Sequence, residues 1–310
     1  MALENFMEVL TSLFTILIVV LLGLLSRKTG IFKAEHAKTL SSFVYYFGLP
    51  TLFFTKLSAL DISSLDIQLV LGTLLPTVIL LAALLLLKTL KLINKDTYIL
   101  LSLSISFGSY AFFGIAFFET FQGGKWLANS ILSASLLGVL GIITTLSLLE
   151  YASKQERGKS FLVKIITNPL VLSIILGAVS SLAGFQLAFL NNAFILVGQT
   201  SSAVAIFVLG MFIYDRFSLE AIKSALLYSV FRTVGLPLAA YLTILFILPG
   251  VGELGQFLLL ENGMPAAIAL VVFAERYDYK VTETAGVVSL TSIFSFISLT
   301  AIFYLSQLIF

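Results

Sequence analysis

The stretch ENGMPAAIALVVFAERY, residues 261 to 277, interrupts a long apolar run with a carboxylate and two helix-breaking residues. Glu261 opens the stretch, and Gly263 and Pro265 follow it closely. Glycine and proline disfavour a continuous helix, and an ionisable side chain within a membrane span indicates a functional site. The stretch therefore predicts a broken membrane helix that carries a charged group.

The composition of the chain places it in a membrane. Of its 310 residues, 59% are hydrophobic and 11% are charged, and the mean hydropathy is +1.08. A soluble domain of this size could not cover so apolar a chain with a polar surface. The formal net charge of +2 does not indicate a nucleic-acid partner, and the absence of cysteine excludes disulfides and thiolate metal sites.

Ten segments of the chain are long and apolar enough to be membrane spans, which need about 20 residues each. A polar loop at residues 151–160 divides them into two sets of five, in residues 1–150 and 161–310. The predicted spans cover residues 7–25, 38–57, 67–87, 97–121, 127–150, 162–184, 192–214, 220–248, 254–275 and 283–309.

The basic residues are distributed asymmetrically among the connections. All 18 lysines and arginines except Lys56, Lys125 and Arg232 lie in connections that follow odd-numbered spans. Because basic residues favour the cytoplasmic side of a membrane, we expect these connections to be cytoplasmic and both termini to lie outside. The predicted location is the cell membrane.

Matching features recur in the two halves of the chain. Pro76 in span 3 corresponds to Pro237 in span 8, and Glu119 near the end of span 4 corresponds to Glu275 in span 9. Since each half has an odd number of spans, the second half must insert upside down relative to the first. The chain is therefore predicted to contain an inverted repeat.

Spans 4 and 9 are interrupted at corresponding positions. Gly108 and Gly114 interrupt span 4, and Gly263 and Pro265 interrupt span 9. Single interruptions are common in membrane helices that carry no site, but paired interruptions in inverted halves are typical of a transporter's binding site. There, the N-terminal end of a half-helix favours an anion and unwound carbonyls favour a cation.

Three motifs resemble the auxin efflux carrier family: FVYYFGLPTLFFTKLS (43–58), NPLVLSIILGAV (168–179) and GMPAAIALVVFAERYDYKVTETAGVVSLTSIFSFIS (263–298). The resemblance covers essentially the whole chain, and the third motif is the most specific. It implies an all-α integral membrane fold of ten transmembrane helices as two inverted five-helix repeats, with broken crossing helices in spans 4 and 9. It also implies elevator-type alternating access, an auxin-like or dicarboxylate substrate, and a homodimer.

The chain departs from the family pattern in span 4. Family members carry Asn-x4-Gly-x-Pro there, whereas this chain has Ser109, Gly114 and Ala116. Ser109 thus stands in place of the asparagine that contacts the substrate carboxylate in the plant carriers. Without the asparagine and the proline, glycine is the residue that remains to break the helix in span 4.

A second resemblance concerns the opening stretch. ENGMP is similar to the Glu-x-Gly-Met-Gln-Asn sequence of the sodium/bile acid symporters, which share the ten-span superfold. The glutamate of those symporters is a sodium ligand, so the resemblance implies an ion-coupling role for Glu261. Pro265 and Ala266 replace their glutamine and asparagine.

Helix geometry brings several polar residues to a common depth. At about 1.5 Å per residue, Glu261, Ser133 and Ser109 all lie roughly 10 Å from the outer face. Oxygen ligands of this kind suit a hard cation, either Na⁺ or H⁺; the alternative is a neutral Glu261 that is hydrogen-bonded within the bundle. The predicted ion-coupling residues are Glu261, Ser109, Asn129, Ser130, Ser133 and Met264, and a sodium ion would bind at Glu261, Ser109 and Ser133.

Arg232 is the only basic residue that lies more than four residues from either end of a predicted span. It lies roughly 25 Å from the outer end of span 8. Its long side chain either extends to the cytoplasmic interface or faces the central cavity and attracts an anionic substrate. The predicted substrate-binding residues are Ser109, Gly114, Arg232, Asn262, Pro265 and Ala266.

These features predict a secondary transporter of a small organic anion, with Na⁺ or H⁺ symport through Glu261. The alternatives are a sodium-coupled symporter of bile-acid-like substrates and an uncoupled facilitator or channel. An enzyme is not expected because no HExxH or GxSxG motif occurs and every aspartate flanks a span. The expected partners are the substrate, the lipid bilayer and a second copy of the chain, and no cofactor is expected apart from a bound Na⁺.

Overall fold

The computed structural model describes residues 2–59, 66–152, 163, 166–184, 188–216 and 218–310. The predicted loop at 151–160 therefore lies outside the described residues except for its first two. The side chain of Glu275, which the sequence pairs with Glu119, lies outside them as well.

The described chain is helical, with no β-strand in any of the described ranges. Its α-helices are numbered here in chain order. They are α1 (Ala2–Lys28), α2 (Ala34–Phe43), α3 (Leu49–Ser58), α4 (Ile67–Thr89), α5 (Lys95–Ser106), α6 (Ile115–Thr120), α7 (Leu127–Ala152), α8 (Pro169–Leu182), α9 (Ala188–Arg216), α10 (Leu219–Val230), α11 (Leu236–Ile247), α12 (Glu253–Asn262), α13 (Ala269–Arg276) and α14 (Val281–Ile309).

Five helices of the described part are long and apolar enough to cross a membrane. The other predicted spans coincide with helices that are broken, interrupted by a wider turn, shorter, or partly outside the described side chains. The five long helices are Ile67–Thr89, Leu127–Ala152, Asn191–Asp215, Leu219–Ile247 and Val281–Ile309. The fourth of these consists of α10, the π-helical turn Phe231–Gly235 and α11.

Polar caps fix the starts of several helices. In each case the side chain of the residue before the helix accepts a hydrogen bond from a backbone N–H group of the first turn, which has no partner within the helix. The caps are Asp66 for α4, Asn94 for α5, Asn168 for α8 and Ser218 for α10, with donor–acceptor distances of 2.8 to 3.1 Å.

Wider π-helical turns precede two of the prolines. The segments Val44–Gly48 and Phe231–Gly235 lead into the helices that contain Pro50 and Pro237. Proline has no N–H group and its ring crowds the preceding turn, and a π-turn is one way in which a helix accommodates such a local disruption. The second of these turns carries Arg232, so the side chain of Arg232 projects from an irregular part of its helix.

The outer surface of the protein is apolar, as a lipid-facing surface must be. On α11, the side chains of Leu238, Leu242, Leu245 and Phe246 are all exposed, and Phe246 is 75% exposed. These positions recur at helical spacing and form one face of the helix. In water such a continuous apolar face would be unfavourable, whereas in a bilayer it meets lipid chains.

Helices α1 and α9 pack against each other through glycine. A Cβ atom on Gly23 would collide with the carbonyl oxygen of Phe207, and one on Gly210 would collide with the carbonyl oxygen of Val20. Small residues at such a contact let the two backbones approach closely, which is the usual means of helix association in membranes. Nearby, the Arg27 Nε–H group donates to Asp215 at 3.0 Å.

A polar cluster joins the start of α5 to the start of α14. The hydroxyl of Tyr279 donates to the Asp96 carboxylate at 3.0 Å, and Lys280 forms ion pairs with Asp96 at 3.6 Å and Glu283 at 3.2 Å. Burial and the Asp96 carboxylate raise the pKa of the Tyr279 phenol. The cluster ties the first half of span 4 to span 10.

We predict that Gly210→Leu disrupts the contact between α1 and α9. The added side chain meets backbone rather than a movable side chain, so we expect a loss of at least about 1–3 kcal/mol in the free energy of unfolding. Thermal unfolding in detergent measures the change. Gly138→Ala is the matched control, because a Cβ atom there has no neighbour within 4 Å; equal melting of the two variants would contradict the prediction.

Candidate functional site

Both predicted interruptions are present. Helix α5 ends at Ser106, and Phe107 has the extended backbone angles φ −127° and ψ 96°. Helical structure resumes at Tyr110 and continues to Thr120, first as a π-turn and then as α6. In span 9, the chain leaves α12 at Asn262 and re-enters a helix, α13, at Ala269.

The two breaks contact each other through their backbones. Gly108 and Ala266 form an isolated antiparallel bridge, in which the Ser109 N–H group donates to the Pro265 carbonyl at 2.7 Å and the Ala267 N–H group donates to the Phe107 carbonyl at 3.0 Å. Backbone groups released from a helix must find partners in a membrane interior. Here each break supplies partners for the other.

Glycine is required at position 108 rather than at position 114. A Cβ atom on Gly108 would collide with the guanidinium of Arg232 and with the ring of Tyr110. Gly114 lies in helical structure with φ −63°, and a Cβ atom there would be 3.5 Å from the Glu261 Oε2 atom, an ordinary contact. The break in span 4 is therefore centred on Gly108, and Gly114 instead adjoins Glu261.

Arg232 is completely buried and connects the two broken helices. Its Nε–H and Nη2–H groups donate to the Met264 carbonyl at 3.0 and 2.8 Å. Its Nη1–H groups donate to the carbonyls of Ser104 at 3.3 Å and Ile105 at 2.9 Å, and Nη2 also donates to the Tyr110 hydroxyl at 3.1 Å. These contacts engage all five donors of the guanidinium.

The acceptors explain why a cation is stable at this depth. Ser104 and Ile105 belong to the last turn of α5, whose carbonyls have no partner within the helix and form the negative end of its dipole. The Met264 carbonyl belongs to the second break. The hypothesis that Arg232 reaches the cytoplasmic interface is wrong, because the residue is 0% exposed and its guanidinium is held by interior carbonyls.

Glu261 is also completely buried, and neither of its carboxyl oxygens has a hydrogen-bond partner among the described residues. The alternative of a Glu261 that is hydrogen-bonded within the bundle is therefore not what the structure contains. Burial of an unpartnered carboxyl group is unfavourable unless a proton or a cation accompanies it. Gly114 and Met264 lie beside this group.

None of the other predicted ion ligands among the described residues forms a hydrogen bond with the Glu261 carboxyl group. The Ser133 hydroxyl is hydrogen-bonded to the Thr73 hydroxyl at 2.9 Å, and the Met264 carbonyl is engaged by Arg232. The Ser130 hydroxyl is buried without a partner and Asn129 is partly exposed. Within the described ranges, no three acidic, histidine or cysteine side chains come together as a metal-binding group.

The predicted substrate-binding residues lie at the crossing of the breaks. Pro265 and Ala266 provide backbone contacts to span 4, and the Ala266 N–H group also donates to the Thr291 hydroxyl at 3.1 Å. Asn262 donates to the Leu258 carbonyl at 2.8 Å, which leaves its side-chain oxygen buried and unpartnered. Ser109 adjoins a narrow cavity, and its substrate role stays a prediction, as do those of Gly114 and Arg232.

This cavity has a volume of about 40 Å³ and lies against the break in span 4. None of the residues that line it is charged. Aromatic and aliphatic side chains form most of its wall, including those of Tyr45, Phe53, Phe107, Phe112, Leu170 and Ile174.

Sequence reasoning missed two residues that contact the crossing, Tyr110 and Thr291, and a third, Thr73, that joins α4 to α7. Each is an uncharged residue whose hydroxyl accepts or shares a hydrogen bond inside the bundle. Thr291 lies within the most specific family motif and Tyr110 directly follows Ser109. These sequence positions could have drawn attention to the two residues, but they do not show which groups their hydroxyls contact in the structure.

We predict that Gly108→Ala disrupts the crossing. The methyl group would displace the guanidinium of Arg232 and leave buried carbonyls without donors, which costs about 1–3 kcal/mol for each group. Thermal unfolding should show a clear loss of stability. Gly114→Ala, in the same span, is the control and should unfold near the parent temperature; a Gly108→Ala variant as stable as this control would contradict the prediction.

Comparison with known proteins identifies the family. Residues 8–303 match the model of a family described as "Membrane transport protein". An "uncharacterized transporter" of Methanocaldococcus jannaschii is 28% identical over 295 residues, covering 90% of this chain and 93% of the relative. An "uncharacterized transporter" of Methanothermobacter thermautotrophicus is 25% identical over 301 residues, covering 95% and 97%. The chain thus belongs to the membrane transport protein family, the auxin efflux carrier family, whose members are membrane transporters and not enzymes.

Proposed function

We propose that the chain is a secondary transporter that moves a small organic anion together with one cation. The observation that carries this proposal is the buried Glu261, whose two oxygens lack partners beside the crossing of two broken helices. A carboxyl group in this position binds Na⁺ or H⁺ from one side of the membrane and releases it on the other. Its proximity to the crossing couples the cation to the substrate.

The proposed architecture has ten spans in two inverted repeats, residues 1–150 and 161–310, joined by a cytoplasmic loop at 151–160. Both termini are outside the cell. The paired breaks support this arrangement, because transporters built from inverted repeats place their binding sites at broken helices that occupy corresponding positions in the two repeats. We further propose that the broken helices move as a unit in elevator-type alternating access, within a homodimer.

The substrate carboxylate is proposed to bind at the start of the second half of span 4. The first hydrogen bonds of this half run from the N–H groups of Phe113 and Gly114 to the Ser109 carbonyl. The N–H groups of Tyr110, Ala111 and Phe112 precede these bonds, and such groups at a helix start attract anions. The same residues line the apolar cavity.

The wall of the cavity favours one substrate class. Because no charged side chain lines it, a second carboxylate would be buried without a partner, which is strongly unfavourable. Aromatic rings and aliphatic chains instead suit an apolar body. We therefore propose a monocarboxylate with an apolar or aromatic body rather than a dicarboxylate. Because such a substrate is larger than the cavity of about 40 Å³, its binding requires the cavity to widen.

A sodium ion fits the Glu261 position only in part. The carboxylate offers two free oxygens and Asn262 offers a third, and oxygens of this kind suit a hard cation. The hydroxyl of Ser133 shares a hydrogen bond with that of Thr73, and the carbonyl of Met264 accepts hydrogen bonds from Arg232, so both oxygens would have to bind a sodium ion in addition to these partners. A proton on Glu261 needs no ligand from either group.

The decisive variant is Glu261→Gln, which keeps the shape of the side chain and removes its ionisable group. We predict that it abolishes the accumulation of substrate driven by a sodium or proton gradient. The measurement is uptake of labelled indole-3-acetate, malonate and cholate into proteoliposomes, with each gradient imposed separately. Glu253→Gln is the control, because this residue belongs to the same helix and its side chain is exposed.

The alternative function, an uncoupled facilitator, gives a different result. A facilitator equilibrates its substrate without an ion gradient, and Glu261→Gln would then leave the uptake rate unchanged. Gradient-driven accumulation by the Glu261→Gln variant would contradict the proposed coupling.

The cavity can be tested by filling it. Gly138 lines the cavity, and a Cβ atom on it has no neighbour within 4 Å. We predict that Gly138→Leu blocks uptake by occupying the space of the substrate, and that it lowers the melting temperature because a leucine side chain is larger than the cavity of about 40 Å³. Unchanged uptake by a folded Gly138→Leu variant would place the substrate elsewhere. Gly138→Ala is the control and should retain most of the activity.

A further inference from the structure

Arg232 and Glu261 are the two charged side chains that are completely buried within the described part of the chain. Both lie at the crossing of the broken helices. Arg232 binds the carbonyl of Met264, which is close in sequence to Glu261, and no direct hydrogen bond joins the two charged groups.

The ligands of Arg232 are of the type that binds a metal cation. In transporters with broken helices, the carbonyls of unwound segments and of half-helix C-terminal ends coordinate the coupling cation. The guanidinium of Arg232 is held by the Met264 carbonyl from an unwound segment and by the Ser104 and Ile105 carbonyls from a half-helix end. The Tyr110 hydroxyl supplies a fourth oxygen.

We propose that Arg232 is a tethered cation, which permanently occupies a cation site formed by the two helix breaks. The guanidinium takes the place of a dissociable metal ion, so that Glu261 alone binds the cation that is exchanged. This inference extends the proposed function, since it fixes how many cations move with each substrate. The occupancy of the carbonyl site itself does not depend on that function.

The charges at the crossing balance in both states of the transport cycle. Without substrate, an ionised Glu261 compensates Arg232. With substrate, one carboxylate and one Na⁺ add no net charge, and a protonated Glu261 with one carboxylate gives the same balance. Uncompensated charge is strongly unfavourable in a membrane interior, so a monocarboxylate is expected to move with one cation and without net charge.

A direct contact between Arg232 and the substrate would require a different arrangement. All five donors of the guanidinium are engaged by protein oxygens. An anion could replace one of these oxygens only by leaving a buried carbonyl without a donor. The tethered-cation role needs no such exchange, and it leaves the substrate carboxylate to the helix start at Tyr110–Phe112.

Removal of the guanidinium should create a sodium site. We expect purified Arg232→Ala to bind one more ²²Na⁺ per chain than the parent, both with and without Glu261→Gln. Choline chloride keeps the ionic strength constant. At a Na⁺ concentration about 100 times the Kd, the folded-to-unfolded ratio of Arg232→Ala should rise roughly 100-fold, seen as a higher melting temperature.

Two further variants serve as controls. Arg232→Lys keeps a tethered charge and should bind no additional ²²Na⁺. Lys223→Ala removes an exposed basic residue of α10, the helix that precedes the π-turn of Arg232, and its Na⁺ binding should equal that of the parent. Extra binding by Arg232→Ala alone distinguishes a cation site from a general loss of positive charge.

Each remaining outcome decides the proposal. A folded Arg232→Ala variant that binds no additional Na⁺ would overturn it. Failure to recover folded Arg232→Ala in both NaCl and choline chloride, under conditions in which Arg232→Lys is recovered, would overturn it as well. Recovery in NaCl alone supports it. If Arg232→Ala gains a sodium ion but Glu261→Gln still accumulates substrate along an ion gradient, the tethered cation stands and the proposed coupling through Glu261 falls.

Discussion

The hydrogen bonds of the buried Arg232 guanidinium are the interaction on which the crossing depends. Two broken helices leave carbonyl groups without partners, and the end of α5 adds the negative pole of a helix dipole. A single planar cation with five donors satisfies oxygens from both breaks at distances of 2.8 to 3.3 Å. Gly108 leaves room for this cation, and the bridge between Gly108 and Ala266 joins the two non-helical segments at the crossing.

The contrast between Arg232 and Glu261 is the basis of the function that we propose for the site. Arg232 has a partner for every donor, so its charge is fixed in place, whereas both oxygens of Glu261 are unpartnered. A buried group without partners has most to gain from a ligand. We therefore propose that the site combines a permanent cation, an exchangeable cation position and an apolar cavity for the symport of a monocarboxylate.

Much of the fold followed from the sequence, because the bilayer imposes long apolar segments and because glycine and proline mark the breaks. The membrane class, the family and the interruptions in spans 4 and 9 were predicted correctly. The detail of the site was less accessible. Gly114 was favoured equally with Gly108, although only a Cβ atom on Gly108 collides with other groups, and the carbonyl partners of Arg232 were missed since main-chain acceptors leave no mark in the sequence.

We propose that one cation moves with each organic anion and that no net charge moves with the pair. The most direct measurement is the steady-state accumulation ratio of the transported monocarboxylate in proteoliposomes, with the Na⁺ or H⁺ ratio and the membrane potential set independently. We expect an accumulation ratio equal to the imposed ratio of the coupled cation at every potential. Equal substrate concentrations on both sides, or a ratio that changes with the membrane potential, would contradict it.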